Sequence, residues 1–263
     1  MKKTVIAVAL ASTVFSGAAM AWEASGSGGN IEIGGSIQVT PYSTPWEVMA
    51  GAPATSLDAN ITKGVSVVNI PVTKPIPVLG IRTAAKTPFP GGPGLAPQIN
   101  FNNSVDFSQA QDEVGVGALT LDVINETDSS KIGTMTAPIF AGAVMSQKGN
   151  SSDDAFRAVA AGSPGQLYAF EGGLPEWNKS AKGNTIARLN ELSPEIMANF
   201  DKQGLEYDSK GQIANFRASY LSFSSAYGAG IHPNQNIKLT LTAPAANDAI
   251  KWKASLPITV SYQ

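Results

Sequence analysis

Apolar and polar residues alternate along short stretches of this chain, and Gly, Pro, Asn and Asp separate the stretches. The clearest runs are 31–39, 65–72, 99–107, 116–124, 132–140, 218–223, 237–242 and 252–262. In the seventh, Ile237, Leu239 and Leu241 alternate with Lys238 and Thr240. Many short period-2 runs with turn residues between them predict an all-β sandwich or barrel. The last run is the longest. Trp252, Ala254, Leu256, Ile258, Val260 and Tyr262 share one face, and Lys251, Lys253, Ser255, Pro257, Thr259, Ser261 and Gln263 the other. It reaches the last residue with no polar tail. Chain ends usually fray, so this predicts a strand recognised by edge pairing with another protein. The stretch 71–97 holds seven prolines and predicts edge strand and loop, because central strands exclude Pro.

The middle of the chain has a different period. Ser152, Asp153 and Asp154 precede Ala155, Phe156, Val159 and Ala160, with Gly162 after them, which predicts a short capped helix. Ile186, Leu189 and Leu192 have helical spacing. Ser193-Pro194-Glu195 is a helix start, with Ser at the cap and Pro at the first position. Ile196, Met197 and Phe200 then share a face, and Gly204 is placed to end the helix. The stretch 146–212 therefore reads as a partly helical insertion within a β domain.

Residues 1–21 have the parts of a secretory signal: Lys2 and Lys3, an apolar run from Val5 to Phe15, and Ala19-Met20-Ala21 as a small-x-small cleavage site. Its form looks bacterial, so the five Asn-x-Ser/Thr triplets, at Asn60, Asn102, Asn125, Asn150 and Asn178, read as chance. Of 263 residues, 242 would remain, ample for a core. No later stretch is apolar for the length a spanning helix needs. The chain has no cysteine, so stability must come from packing rather than disulfides. Without Lys2 and Lys3, 16 basic side chains face 20 acidic ones. That balance argues against nucleic acid, and no polybasic segment offers a hold on an anionic membrane.

The residues of common catalytic and metal sites are sparse. His232 is the only histidine. It reads as a loop or strand-end residue; a Ser-His-Asp triad around it lacks a Gly-x-Ser-x-Gly elbow. One His and no Cys disfavour zinc and copper. No phosphate loop of the Walker type occurs, and Gly26-Ser-Gly-Gly29 reads as a flexible leader. Asp112-Glu113 and Asp153-Asp154 are sequence neighbours whose side chains point apart, and read as turn and helix-start residues. The expectation is a protein that is not an enzyme and needs no cofactor.

Behind the leader, Ile31, Ile33, Gly35, Ile37 and Val39 lie on one face of an extended run, with Gly35 as a notch among large residues. This run is either the first strand of its own sheet or a strand donated to the next molecule, in which alternate side chains fill a groove and the notch sets register. Here the residues resemble a family. The leader followed at once by Trp22, the block Ile31-Glu-Ile-Gly-Gly-Ser-Ile37, and Trp46 look like FaeG-type fimbrial subunits, the large cysteine-free subunits of one clade of bacterial chaperone–usher fimbriae. So do Lys74-Pro-Ile-Pro-Val-Leu-Gly-Ile-Arg-Thr83, Pro97-Gln-Ile-Asn-Phe101, Gly133-Thr-Met-Thr-Ala-Pro138, Ala218-Ser-Tyr-Leu-Ser-Phe223 and Trp252 with Pro257-Ile-Thr-Val-Ser-Tyr262. The stretch 146–212 departs from that pattern.

The resemblance implies an incomplete immunoglobulin-like sandwich, lacking its last strand and completed by a donor strand, with a small helical insertion. Residues 1–21 would be the signal, 22–40 the donor segment and 41–263 the pilin domain. Ile31, Ile33, Gly35, Ile37 and Val39 would be the donor residues. Ile258, Val260 and Tyr262 would lie in the C-terminal strand gripped by a periplasmic chaperone. The partners implied are that chaperone, an outer-membrane usher and neighbouring fimbrial subunits, on a route through the periplasm to the cell surface. In FaeG-type fimbriae the major subunit is also an adhesin for host glycoconjugates. The stretch 146–212 offers Tyr168, Phe170 and Trp177 with Glu171, Glu176 and Asn178; a satellite core beneath two helices explains these aromatics as well as a sugar site does. The competing class is a self-contained secreted β-sandwich lectin whose first strand pairs within its own sheet, and a secreted hydrolase is a third.

Overall fold

The computed structural model describes residues 44–246 and 249–263. The signal, the run 31–39 and the donor residues Ile31, Ile33, Gly35, Ile37 and Val39 lie outside the described residues. In chain order the strands are β1 (Trp46–Ala50), β2 (Val67–Pro71), β3 (Ile76–Thr83), β4 (Phe89–Pro90), β5 (Pro97–Asn100), β6 (Val105–Asp106), β7 (Val116–Asn125), β8 (Lys131–Lys148) and β9 (Ala155–Val159). After helix α1 (Thr185–Leu192) and a 3-10 turn (Pro194–Met197) come β10 (Asp208–Gln212), β11 (Ser222–Ile231), β12 (Asn236–Leu241), β13 (Trp252–Ala254) and β14 (Thr259–Tyr262). The all-β class expected from the alternation is what forms, with one short helical segment.

β8 is the spine. Its first half pairs with β7 on one side and β12 on the other; its second half pairs with β9 and β11. The main ladder runs β1-β3-β11-β8-β12-β2. Met135, Ala137, Ile139, Ala141, Ala143 and Met145 put one face of β8 into the main core. On the opposite face, Phe140 and Val144 join a second core under the helical segment with Phe156, Leu189, Leu192 and Ile196. Beyond residue 138 β8 is therefore buried on both faces, and the period-2 signal ends there for that reason. β11 is alike: Phe223, Tyr227 and Ala229 face the main core and Ala226 the second.

Several expectations need correction. The run 155–160 is not a helix but strand β9, buried on both faces, paired to β8 in front and to β10 behind. Two-sided burial spaces apolar residues as a helix would. Asp154 accepts from the Gly149 amide at 2.9 Å and so braces the hairpin instead of capping a helix. Within 71–97, β3 is an internal strand between β1 and β11. Pro77 is tolerated because β1 reaches only Leu79, with Gly51 bonding Val78, and the β11 ladder shifts register at Ala229/Gly230, opposite Pro77. Pro138 likewise sits where β8 changes partner from β12, last paired at Thr136, to β11, first paired at Phe140. The run 99–107 is broken by Asn102 and Asn103, both at positive φ, into β5 and β6. The run 218–223 begins a strand that starts at Ser222 and extends to Ile231. Finally, 252–262 is two strands, not one.

α1 forms as its spacing predicts. The turn after Ser193 starts as expected but is 3-10, closed by the Ala198 amide on Glu195 O. Ile196, Met197 and Phe200 all reach the second core. Gly204 ends no helix; it stands at φ +75 in the turn closed by the Leu205 amide on Lys202 O.

The close approach at Gly230 yields a test. A Cβ there would lie 2.5 Å from Ile76 O and 3.1 Å from Pro77 Cα, both backbone, whereas a Cβ on Gly228 would meet only the tips of Leu189 and Ile196. Gly230→Ala is expected to destabilise by about 1–3 kcal/mol and Gly228→Ala by less, measured by denaturant unfolding followed through tryptophan fluorescence. Equal losses would contradict this account of the bulge.

Candidate functional site

The C-terminal run is paired on one side. β13 is antiparallel to β7, with Ala254 opposite Val123. β14 is antiparallel to β5, with Val260 opposite Ile99 and Tyr262 opposite Pro97. Ala96 and Gln263 then exchange both backbone bonds at 3.1 Å. Between the two strands, residues 255–258 leave the ladders, and Pro257 there has no amide to give. On the other edge neither β13 nor β14 has a ladder partner among the described residues. Followed from this run, the ladders go β13, β7, β8, β12, β2 and stop; β2 bonds β12 alone. β1, at the other end, bonds β3 alone among the described residues.

Side chains report the same open edge. Trp252, Ala254, Leu256, Ile258, Val260 and Tyr262 all pack against the main core, yet each stays half-buried. Their neighbours Ile99 and Val123 are buried. Val68 of β2 and Leu57 in the preceding loop are also half-buried against this core. On β1, Val48 is 46% exposed although its register partner Ile81 is fully buried. Burial pushes the Tyr262 phenol above its ordinary value, and Thr44 offsets part of that. Ile258, Val260 and Tyr262 are therefore brought to one face, Ile258 from the link rather than from a strand. Val68 and Leu57 are half-buried residues of this core that sequence reasoning did not single out.

The residues considered for sugar binding separate. Phe170 is in the main core, stacked on Tyr227 at 5.2 Å and edge-on to Trp46 and Phe216. The second core under the helices uses Phe140, Phe156 and Phe200 instead of the three aromatics named from the sequence. Tyr168 is half-buried against Gly162. Glu171 braces its own loop by accepting the amides of Gly165 and Leu167. Asn178 donates to Asp112 at 3.2 Å. Trp177 is 45% exposed, with Lys182 Nζ 5.8 Å from its ring centre, and Lys182 is paired to Glu113 at 2.9 Å. Glu113 is a turn residue at positive φ, as the sequence suggests.

His232 follows β11 and is buried beside Phe140, with Nδ1 2.8 Å from Glu191 Oε2. It is a strand-end residue held between a helix and the sheet. Among the described residues no helix is long and apolar enough to cross a membrane.

The family described as "Fimbrial, major and minor subunit" matches the chain over residues 1–263. Three proteins of Escherichia coli are similar to it along their whole lengths, and all of this chain is covered in each case. These are "K88 fimbrial protein AC", 27% identical over 292 residues, "K88 fimbrial protein AB", 28% over 294, and "K88 fimbrial protein AD", 28% over 296. A β-sandwich with one short helical segment and a one-sided C-terminal strand thus coincides with a match across the full sequence, and the chain belongs to the family of fimbrial major and minor subunits, which are structural proteins of the cell-surface fimbrium and not enzymes.

Proposed function

We propose that this fimbrial subunit is assembled by the chaperone–usher route through donor-strand complementation. The observation that carries the reading is the C-terminal run. Its six apolar side chains face the core half-buried, and its outer edge has no ladder partner among the described residues. An exposed apolar edge of this length invites pairing with another chain. A strand laid along that edge would satisfy its free backbone groups and cover the half-buried row. Completing the burial of each large side chain would contribute on the order of 1 kcal/mol, about half the value for full burial.

The donor in this reading is the run Ile31, Ile33, Gly35, Ile37 and Val39 of a neighbouring subunit, its alternate residues seated against Ile258, Val260 and Tyr262. Residues 1–21 direct export and are removed. A periplasmic chaperone covers the edge until an outer-membrane usher exchanges it for the donor. No activity is needed from His232 or the acidic pairs.

A second role, as an adhesin for host glycoconjugates, is favoured by Trp177. It is the one aromatic of those named in 146–212 with an open ring, and Glu176 and Asn178 are exposed beside it.

Replacing Ile33 and Ile37 by Asp is expected to abolish fibres seen by electron microscopy while the chaperone complex still forms, since these residues act only as donor. Fibres of normal length would sink the donor assignment. Replacing Val260 and Tyr262 by Ser is expected to cut periplasmic yield severalfold; an unchanged yield would remove the terminal strand from chaperone capture. Trp177→Ala is expected to leave fibre assembly intact and to lower adherence to glycan-coated surfaces, and undiminished adherence would free Trp177 from that role.

A further inference from the structure

The only histidine of the chain sits at the joint between the helical segment and the sandwich. His232 is 6% exposed. Phe140 of β8 meets its ring edge-on, 5.1 Å between centres. From α1, Glu191 brings Oε2 to 2.8 Å from Nδ1, and neither ring nitrogen has a partner in hydrogen-bond alignment among the described residues. Arg188, on the same helix, lays its guanidinium 4.0 Å from the Phe140 ring centre and donates to Val114 O. Phe140 is thus clamped between the helix and the histidine. The charged groups acting on the imidazole are Arg188 and Glu191 of α1; β8 presents Phe140, which carries none.

We propose that His232 is an acid-sensitive latch, whose protonation loosens α1 and the 3-10 turn after it from β8 and β11. An imidazolium in this place would lose water and face the Arg188 cation, while Glu191, itself half exposed, offsets only part of that cost. Burial, followed by Arg188, accordingly holds the imidazole below its ordinary value. The sign follows. A histidine kept neutral by folding contributes its full stabilisation above about pH 6.5 and loses it as the pH falls through the depressed value. The loss falls on a weak element. α1 has eight residues, no side-chain cap and no acidic residue in its first turn, and a helix that short has little stability of its own. What it covers is apolar: Leu189, Leu192 and Ile196 close the second core over Phe140 and Val144. Acid would therefore uncover this core locally while the main sandwich stays closed.

The test is hydrogen exchange with mass spectrometry on assembled fibres at about pH 7.5 and about pH 5, either side of the ordinary histidine value, corrected for intrinsic exchange rates. Residues 185–197 are expected to lose protection at the lower pH, with β8 unchanged. In His232→Gln the pH difference should vanish. No change in the unaltered fibre, or the same change in His232→Gln, would overturn the latch. Should that variant fail to assemble, Glu191→Gln decides. Without the carboxylate the imidazolium is disfavoured further in the closed state, so acid should cost that state more and the loss of protection at about pH 5 relative to about pH 7.5 should grow; an unchanged or smaller pH difference would refute the assignment.

Discussion

An unpaired strand edge over an apolar core is the constraint on which the rest of this molecule depends. Backbone groups at an edge bond water or another chain, and the apolar row beneath them is stable only when covered. Here the edge belongs to the C-terminal run. Its inner bonds are complete, from Ala254 opposite Val123 to Gln263 against Ala96. Its outer edge has none among the described residues. The rest of the sandwich supplies the frame behind that edge. β8 ties β7 and β12 to β11 and β9, and a cluster of Trp46, Phe89, Phe170, Phe216, Phe223 and Tyr227 fills the core behind it.

The helical segment is subordinate to this frame. It is laid on the outer face of β8 and β11, where small residues make room. Gly228 and Gly230 leave space for Leu189, Leu192 and Ile196. A polar clamp fixes the following loop: Ser146 donates to Asp201 O, the Asp201 amide to Ser224, and Gln203 to Ser222 O. Neutral hydrogen bonds of this kind contribute roughly 1 kcal/mol each. They anchor the loop independently of His232, which is why an opening of α1 can stay local.

Strands with one buried face were legible in the sequence: β2, β7, β12 and the first half of β8 follow their alternation closely. Strands buried on both faces were not. β9 imitates a helix, and the small residues from Ser224 to Gly230 of β11 carry no period. Pro77 and Pro138 argue against internal strands, yet both sit where a neighbouring ladder ends or shifts, a fact of tertiary pairing that local sequence does not hold. At the candidate site, the C-terminal face was readable residue by residue, because half-burial preserves strict alternation from Trp252 to Tyr262. Leu57 was not, since its half-burial against the core arises only from the folded packing. Phe170 gave no local sign that it enters the main core, because that depends on a loop whose backbone bonds β5 through Pro97 O.

The central claim is that the sandwich is incomplete until another chain supplies a strand. Its most direct measurement is periplasmic production of residues 22–263 with and without a fimbrial chaperone, followed by size-exclusion chromatography. The account predicts a stable one-to-one complex when the chaperone is present, and aggregated or degraded subunit when it is absent. A well-folded monomer formed without chaperone would contradict it, placing the first strand within its own sheet and making a self-contained β-sandwich the better description.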